Sequence, residues 1–151
     1  MSHTSLHLWY TLVVFGAAML AVGCGQSGPA VYPVKGVVVY PDGSPVSGGS
    51  VEFEALEGEW KGHNARGAIQ DDGSFTLTTE KQGDGAVAGR QRAIVRGPYP
   101  SRMNAIDGKS LPRRLVHTKY SNYDTSGLEF TIVEGKNELT IEVISSDDRA
   151  R

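Results

Sequence analysis

VKGVVVYPDGSP, residues 34–45, is the stretch that decides the fold of this chain. Its first half is rich in valine, whose β-branched side chain favours an extended strand. Its second half places Asp-Gly between two prolines, which is a turn signal because glycine tolerates a positive φ and proline presets its own. The stretch therefore predicts a β-strand that ends in a tight turn, and the same pattern recurs further along the chain.

Short β-prone runs bounded by turn residues occupy much of the remaining sequence. Residues 51–56 (VEFEAL) alternate apolar with acidic side chains, which predicts one buried face and one solvated face. Residues 68–70 and 75–79 flank the turn sequence Asp-Asp-Gly-Ser, which predicts a β-hairpin. Further strands are predicted at residues 90–96, 128–132 and 139–143, with a turn at 134–137.

Two irregular segments interrupt the predicted strands. Residues 57–66 are polar and hold Trp60 and His63, and residues 97–127 contain three prolines and several basic side chains. A connection as long as the second segment is either functional or partly disordered in a compact domain.

Composition and strand count together predict the fold class. The chain holds 19 glycines and 7 prolines, which favours many turns over long helices. About seven short strands, each with one apolar face, must form two packed sheets to cover those faces. We therefore expect an all-β fold, an antiparallel seven-stranded β-sandwich, with a small β-barrel as the alternative.

The N-terminal segment has the features of an export signal. Residues 8–22 carry no charged side chain, and the run is shorter than the about 20 apolar residues of a membrane-spanning helix. Such a run is typical of a signal-peptide core, although residues 1–7 contain no lysine or arginine. The sequence AVGC at residues 21–24 resembles a bacterial lipobox, with alanine at the position where leucine is usual.

The resemblance to a lipobox implies that Cys24 is diacylated and becomes the new N-terminus. A lone cysteine has no intramolecular disulfide partner in an exported chain. Two or three acyl chains give a lasting anchor, whereas a single chain anchors only marginally. The residue after the cysteine is Gly25 and not aspartate. In this respect the sequence resembles lipoproteins that are directed to the outer membrane. Plain secretory cleavage near Gly23 and a buried free cysteine are the alternatives.

These features divide the chain into four predicted parts. They are a signal peptide at residues 1–23, a flexible tether at 24–30, a β-sandwich at 31–144 and a polar tail at 145–151. We expect an exported protein that is lipid-anchored to the bacterial cell envelope, on the outer rather than the inner membrane, facing the periplasm or the surface.

Several motifs in order resemble a carboxypeptidase regulatory-like, or transthyretin-like, domain of bacterial lipoproteins. The similar motifs are VKGVV (34–38), DGSPV (42–46), VEF (51–53), DDGSF (71–75), YSNYDTSGL (120–128) and NELTI (137–141). The resemblance covers residues 31–144. It implies a prealbumin-like, immunoglobulin-like β-sandwich with no catalytic residues and no cofactor of its own.

Transthyretin-like hydrolases that act on 5-hydroxyisourate share this fold and supply the enzymatic alternative. The resemblance implies that such an enzyme uses histidines and an arginine in a central groove and ends in Tyr-Arg-Gly-Ser. This chain ends in DDRAR, and its only histidines beyond the leader are His63 and His117. We therefore expect a non-enzymatic binding or structural module.

The sequence offers no metal-binding pattern. Two separated histidines and a cysteine that is committed to lipid do not supply the three or four ligands of a zinc site. The Asp-Asp-Gly-Ser motif at residues 71–74 lacks the bidentate glutamate of a calcium loop, since the twelfth position is Gln82. We expect no metal and interpret this motif as a turn.

A candidate binding loop lies between residues 99 and 121. It carries five lysine or arginine side chains against one aspartate, and a tyrosine flanks it on each side. A basic patch of this kind is expected to bind anionic lipid headgroups or an acidic polymer, and its tyrosines are expected to stack on sugar rings. The low charge density favours the alternative of an ordinary solvated connection. The candidate residues are Tyr99, Arg102, Arg113, Arg114, Lys119 and Tyr120.

The net charge of the chain bears on whether nucleic acid is an expected partner. The formal net charge is −2, and without a basic excess nucleic acid is not an expected partner. We expect contact with the membrane through the N-terminal lipid, and a protein or polysaccharide partner in the envelope.

Overall fold

The computed structural model of the protein describes residues 28–98 and 114–147. These residues form nine strands, one 3₁₀ helix and one short α-helix. The strands are β1 (Val31–Tyr32), β2 (Val34–Val39), β3 (Ser50–Ala55), β4 (Asn64–Ala68), β5 (Ser74–Thr76), β6 (Ala86–Val87), β7 (Gly89–Arg96), β8 (Leu128–Ile132) and β9 (Asn137–Glu142); the helices are the 3₁₀ helix (Thr118–Ser121) and α1 (Tyr123–Ser126). In this part of the chain no helix has the length and apolar character needed to cross a membrane.

Two sheets form the body of the domain, which confirms the all-β sandwich. One has three strands in the order β5-β2-β9, and the other has four in the order β4-β3-β7-β8. The structure has nine strands where seven were predicted, because β1 and β6 form a separate pair of two-residue strands. The sheets are also not wholly antiparallel. The turn after β8 carries the chain from the four-stranded to the three-stranded sheet, where β9 lies parallel to β2.

The core lies between the inner faces of the two sheets. Phe53 on β3 and Phe75 on β5 meet across this space, with 6.4 Å between their ring centroids. Gly36 on β2 makes room for this contact, since a Cβ there would lie only 2.6 Å from Cζ of Phe75. Other buried members of the core are Val34, Val38, Val51, Ala93, Val95, Ile132, Ile141 and Val143.

The predicted hairpin around residues 71–74 is wrong in its strand pairing. The turn itself forms, with Gln70 N donating to Ser74 O at 2.8 Å and Gly73 at φ 81°. Its two arms then separate, because β4 pairs with β3 in one sheet and β5 pairs with β2 in the other. Between the arms there is one isolated bridge, Arg66 to Thr78.

Strand β4 also begins earlier than the sequence pattern indicates. The polar segment predicted at residues 57–66 ends at His63, and its last residues belong to β4. Ala65 and Gly67 are the inward-facing residues of this strand, and their small side chains give almost no hydrophobic signal.

The predicted irregular segment at residues 97–127 contains regular structure in its second half. Val116 forms a bridge with Ser145, and the 3₁₀ helix and α1 follow. Ser145 is fully buried and Ser146 N donates to Leu115 O, so the domain continues past the boundary that we predicted at residue 144.

The connections between strands lie at the two ends of the sandwich. At the N-terminal end, Asn137 N donates to Pro33 O, and Gly89 at the start of β7 pairs with Ile132 at the end of β8. The segments at this N-terminal end are residues 28–33, 57–63, 79–85 and 133–136. The segments at the far end are residues 40–49, 70–73, 97–98 and 144–147.

Candidate functional site: the outer face of the four-stranded sheet

Charged side chains from three adjacent strands meet on the outer face of the four-stranded sheet. Successive side chains of a strand point to opposite faces, so the acidic residues of β3 point away from the core. The sheet register places Glu52 beside Arg66 on β4 and Glu54 beside Arg92 on β7. Opposite charges on neighbouring strands therefore face one another across the sheet.

Glu52 is the centre of this cluster, with 8% of its surface exposed. Its carboxylate accepts hydrogen bonds from Arg96 Nη1 at 3.1 Å and Asn64 Nδ2 at 2.9 Å, and Arg66 Nε lies 3.2 Å away. Burial opposes the ionisation of Glu52, but the hydrogen bonds from Arg96 and Arg66 outweigh it and hold its pKa below the usual value. Glu52 is therefore a carboxylate at neutral pH.

The helix α1 is fastened over this face by a second group of charges. Arg92 donates from Nε and Nη2 to Glu54 Oε1 at 3.0 and 2.7 Å, and its Nη1 lies 3.4 Å from Asp124 Oδ1. The Arg92 guanidinium also stacks on the Tyr123 ring at 4.7 Å from the centroid. Both partners outside the sheet belong to α1, so Arg92 joins the helix to the strand.

The predicted solvated face of β3 is therefore wrong. The 3₁₀ helix and α1 both pack against β7, and Ile94 on the outer face of β7 is buried. Glu52 is buried on the same face. The alternation in β3 is correct, but its polar side is covered by a segment about 70 residues later in the chain.

Two buried polar atoms near Glu52 have no hydrogen-bond partner of good geometry among the described residues. They are Tyr123 Oη and Asn64 Oδ1. Burial, and then the negative charge of Glu52, raise the pKa of Tyr123. Tyr123 is thus neutral and Glu52 ionised across the physiological range.

These ion pairs act as structural cross-links between the strands of the sheet and between the sheet and α1. A general acid or base is most effective when its pKa lies near the operating pH. Glu52 and Tyr123 are shifted away from neutrality in opposite directions. The cluster is suited to holding α1 on the sheet, and proton transfer at neutral pH is not favoured.

Of the candidate binding loop, Tyr99, Arg102 and Arg113 lie outside the described residues, as does Cys24. Arg114 is described and is held by the turn after β2. Its Nη1 lies 2.6 Å from Asp42 Oδ2, and its guanidinium stacks 4.3 Å above the Tyr40 ring. Hydrogen bonds from Ser44, and then Arg114, lower the pKa of Asp42 to about 2. Arg114 therefore attaches the described second half of the irregular segment to the sandwich.

Lys119 and Tyr120 form the end of the candidate loop on the 3₁₀ helix. Tyr120 is 5% exposed and belongs to the core, and its hydroxyl accepts from Ile144 N at 3.3 Å. Lys119 Nζ lies 4.7 Å from the centroid of that ring. The burial of Tyr120 contradicts its expected use as an exposed ring that stacks on a sugar.

The two histidines of the described domain lie at opposite ends of the four-stranded sheet. The backbone carbonyl of His63 accepts a hydrogen bond from N of Ala55, the last residue of β3, and the His63 ring meets Trp60 edge-on with 5.1 Å between the ring centroids. His117 follows Val116, which contacts Gly97 at the other end of that sheet, and its Nδ1 accepts from Lys119 N at 3.1 Å. Strand β3, which runs between these two ends, is about 17 Å long, so the two histidines are far apart. In the described ranges, no group of three His, Cys, Asp or Glu side chains could hold a metal ion.

The residues of the outer-face cluster were not among the predicted site residues. They are Glu52, Glu54, Arg66, Arg92 and Arg96. The available signal is the alternation of Glu52 and Glu54 on β3 with Arg92 and Arg96 on β7. Two neighbouring strands that carry opposite charges on the same face are expected to pair those charges across a sheet. The signal becomes informative only when the strands are known to be neighbours.

Comparison with known proteins gives one distant structural likeness. No family model and no curated protein matches this sequence. The crystal structure of a DUF3823 family protein from Parabacteroides merdae is similar with a TM-score of 0.43 and 16% sequence identity. The match covers 78% of this chain and 48% of that one, so this chain spans about half the length of that protein.

Proposed function

We propose that this protein is a lipid-anchored, non-enzymatic β-sandwich module of the bacterial cell envelope, related to the carboxypeptidase regulatory-like and transthyretin-like domains. The observation that carries the non-enzymatic part of the proposal is the closure of the outer-face cluster. Glu52, its most buried acidic residue, is held between Arg66 and Arg96. A group fixed in this way stabilises the fold and is poorly suited to acid–base catalysis.

The position of the first strand supports attachment through Cys24. Among the described residues the first strand begins at Val31, directly after the seven residues of the predicted tether. Residues 25–30 thus lie between the proposed acylation site and the first described strand. The resemblance of residues 21–24 to a lipobox supplies the site of attachment.

The ion pairs of the described arginines argue against an acidic polymer as the partner of this surface. Every arginine within residues 28–98 and 114–147 forms an ion pair with an acidic side chain of the same domain. These ion pairs reduce the positive potential that an anionic polymer would meet.

The anchor is tested by metabolic labelling with an alkyne fatty acid. We expect label on the wild-type protein and none on Cys24→Ala, because the thiol is the proposed site of acylation. Ser27→Ala is the matched control in the same segment and keeps the label. Equal labelling of wild type and Cys24→Ala would overturn the anchor.

The non-enzymatic part of the proposal has a separate test. The purified full-length protein is assayed on 5-hydroxyisourate, the substrate class of the alternative hydrolase, beside a heat-killed sample. We expect no turnover above that sample, because the histidines lie at opposite ends of a sheet. Turnover that is lost in His63→Ala or His117→Ala would replace the module with the enzyme.

A further inference from the structure

The described chain enters the sandwich at the N-terminal end. Strand β1 pairs there with β6, and Gly28 lies beside the carboxylate of Glu80 in the loop at residues 79–85. A Cβ on Gly28 would be 3.3 Å from Glu80 Oε1, so the first described residue is in contact with this end. Gly28, four residues after Cys24, therefore lies at the N-terminal end.

The remaining distance to Cys24 is short compared with the domain. Four Cα–Cα steps separate Cys24 from Gly28 and span at most about 14 Å. The eight residues of β7 run from the N-terminal end to the far end and span about 25 Å. An anchor at Cys24 holds the N-terminal end near the headgroups, whereas the far end lies one strand length away unless the domain tips over.

The side chains of the N-terminal end suit a headgroup region. Val133 is 56% exposed and is the most exposed large hydrophobic side chain in the described residues. Trp60 is partly exposed in the loop after β3. Tryptophan suits a membrane–water interface because its ring is apolar and its N–H is polar. Lys61 and Lys136 lie in the same loops, beside Glu59 and Glu134 and other acidic residues of this end. These segments carry five acidic side chains against three lysines, so the lipid and the apolar contacts, and not charge attraction to the headgroups, determine the orientation.

We propose that the N-terminal end of the sandwich rests on the lipid headgroups of the anchoring membrane, with Trp60 and Val133 at headgroup level, and that the far end points away from it. This inference rests on the proposed acylation of Cys24. It places the Arg114–Asp42 contact and the turn at residues 70–73 on the side that is open to a partner.

Two single-cysteine variants test the orientation. Lys136→Cys puts a thiol at the N-terminal end, and Gln70→Cys puts one at the far end; both positions are exposed. Since the acylated Cys24 is a thioether, the introduced thiol is the one free thiol of the chain. Each full-length lipoprotein is labelled with a fluorophore and reconstituted in phosphatidylethanolamine–phosphatidylglycerol vesicles that contain a lipid with a nitroxide on its headgroup.

We expect stronger quenching of the label at residue 136 than at residue 70, and the same difference at high salt. Equal quenching at both positions, or the reverse order, would overturn the orientation. Fatty-acid label on Cys24 with no quenching at either position would overturn the orientation but leave the anchor. Absence of both the fatty-acid label and the quenching would overturn the proposed anchor and this inference together.

Discussion

The two faces of the four-stranded sheet are both covered, but by different physical means. On strand β3, Val51 and Phe53 are fully buried on the inner face, and Glu52 is nearly so on the outer face. The inner face is held by apolar burial, which has no directional requirement and does not depend on ionisation. The outer face is held by ion pairs, which require both partners to be charged and correctly placed. One strand thus supplies a core that is insensitive to pH and a layer that is sensitive to it.

Phe53→Ala tests the apolar face and has the largest expected effect. The ring lies between Phe75 and Phe130, with centroids 6.4 and 5.4 Å away. Its removal leaves a cavity in the core, and we expect the free energy of unfolding to fall by about 3–5 kcal/mol. Urea denaturation at neutral and mildly acidic pH measures this loss, which should be equal at both. A loss as small as that of the control Phe53→Leu would contradict the packing described.

Glu52→Gln tests the charged face and has a smaller expected effect. The side chains of Arg66 and Arg96 are 69% and 42% exposed, so water solvates them when the carboxylate is removed. We therefore expect a loss of about 1.5–3 kcal/mol, the value of hydrogen bonds to a charged group. Urea denaturation beside Glu138→Gln, on the exposed face of β9, measures the difference. A loss no larger than that of Glu138→Gln would mean that the cluster does not hold the face together.

The pH dependence of stability separates the two faces directly. The pKa of folded Glu52 lies below its usual value near 4.5. Its contribution to stability is therefore full above the unfolded pKa and is lost as the pH falls through the folded pKa. We expect the stability difference between wild type and Glu52→Gln to be constant near neutrality and to shrink in acid. The difference between wild type and Phe53→Ala should show no such change.

Arg92→Ala tests the attachment of α1 to the sheet. It removes the ion pair with Glu54, the contact with Asp124 and the stacking on Tyr123, and we expect a loss of about 1 kcal/mol. Hydrogen exchange should quicken in α1 and remain unchanged in β2. Arg90→Ala is the matched control, since its partner Glu129 is on the edge strand β8. Faster exchange in both variants would show that the effect is not specific to Arg92.

Tyr123→Phe has the smallest expected effect. The Tyr123 hydroxyl is buried without a well-formed hydrogen bond among the described residues, so its removal should change stability by less than about 0.5 kcal/mol. Thermal unfolding of the two proteins measures this change. A loss above about 1 kcal/mol would show that the hydroxyl donates to Glu52 in solution.

Local sequence patterns predicted much of the fold. The alternation of residues 51–56 and the Asp-Asp-Gly-Ser turn are found where we expected them, since strand faces and turns depend on neighbouring residues. The division of strands between sheets depends on contacts distant in sequence. The arms around Gly73 looked like a hairpin because nothing local indicates that β4 and β5 join different sheets.

The outer-face cluster could not be predicted for the same reason. Glu52 looks solvated in its own strand, and its burial depends on α1, which comes much later in the chain. Tyr120 and Arg114 looked like loop residues with free side chains. They contact Ile144 and Asp42, so their surroundings follow from the tertiary fold and not from local composition.

The pKa of Glu52 is the measurement that tests the account most directly. A carbon-detected NMR titration of its side-chain carboxyl in the folded protein, with Glu52→Gln to assign the signal, gives this value. If the cluster is a closed structural network, the pKa lies below 4.5, because Arg66 and Arg96 stabilise the carboxylate. A pKa raised toward neutrality would contradict that description, because burial would then outweigh the two arginines.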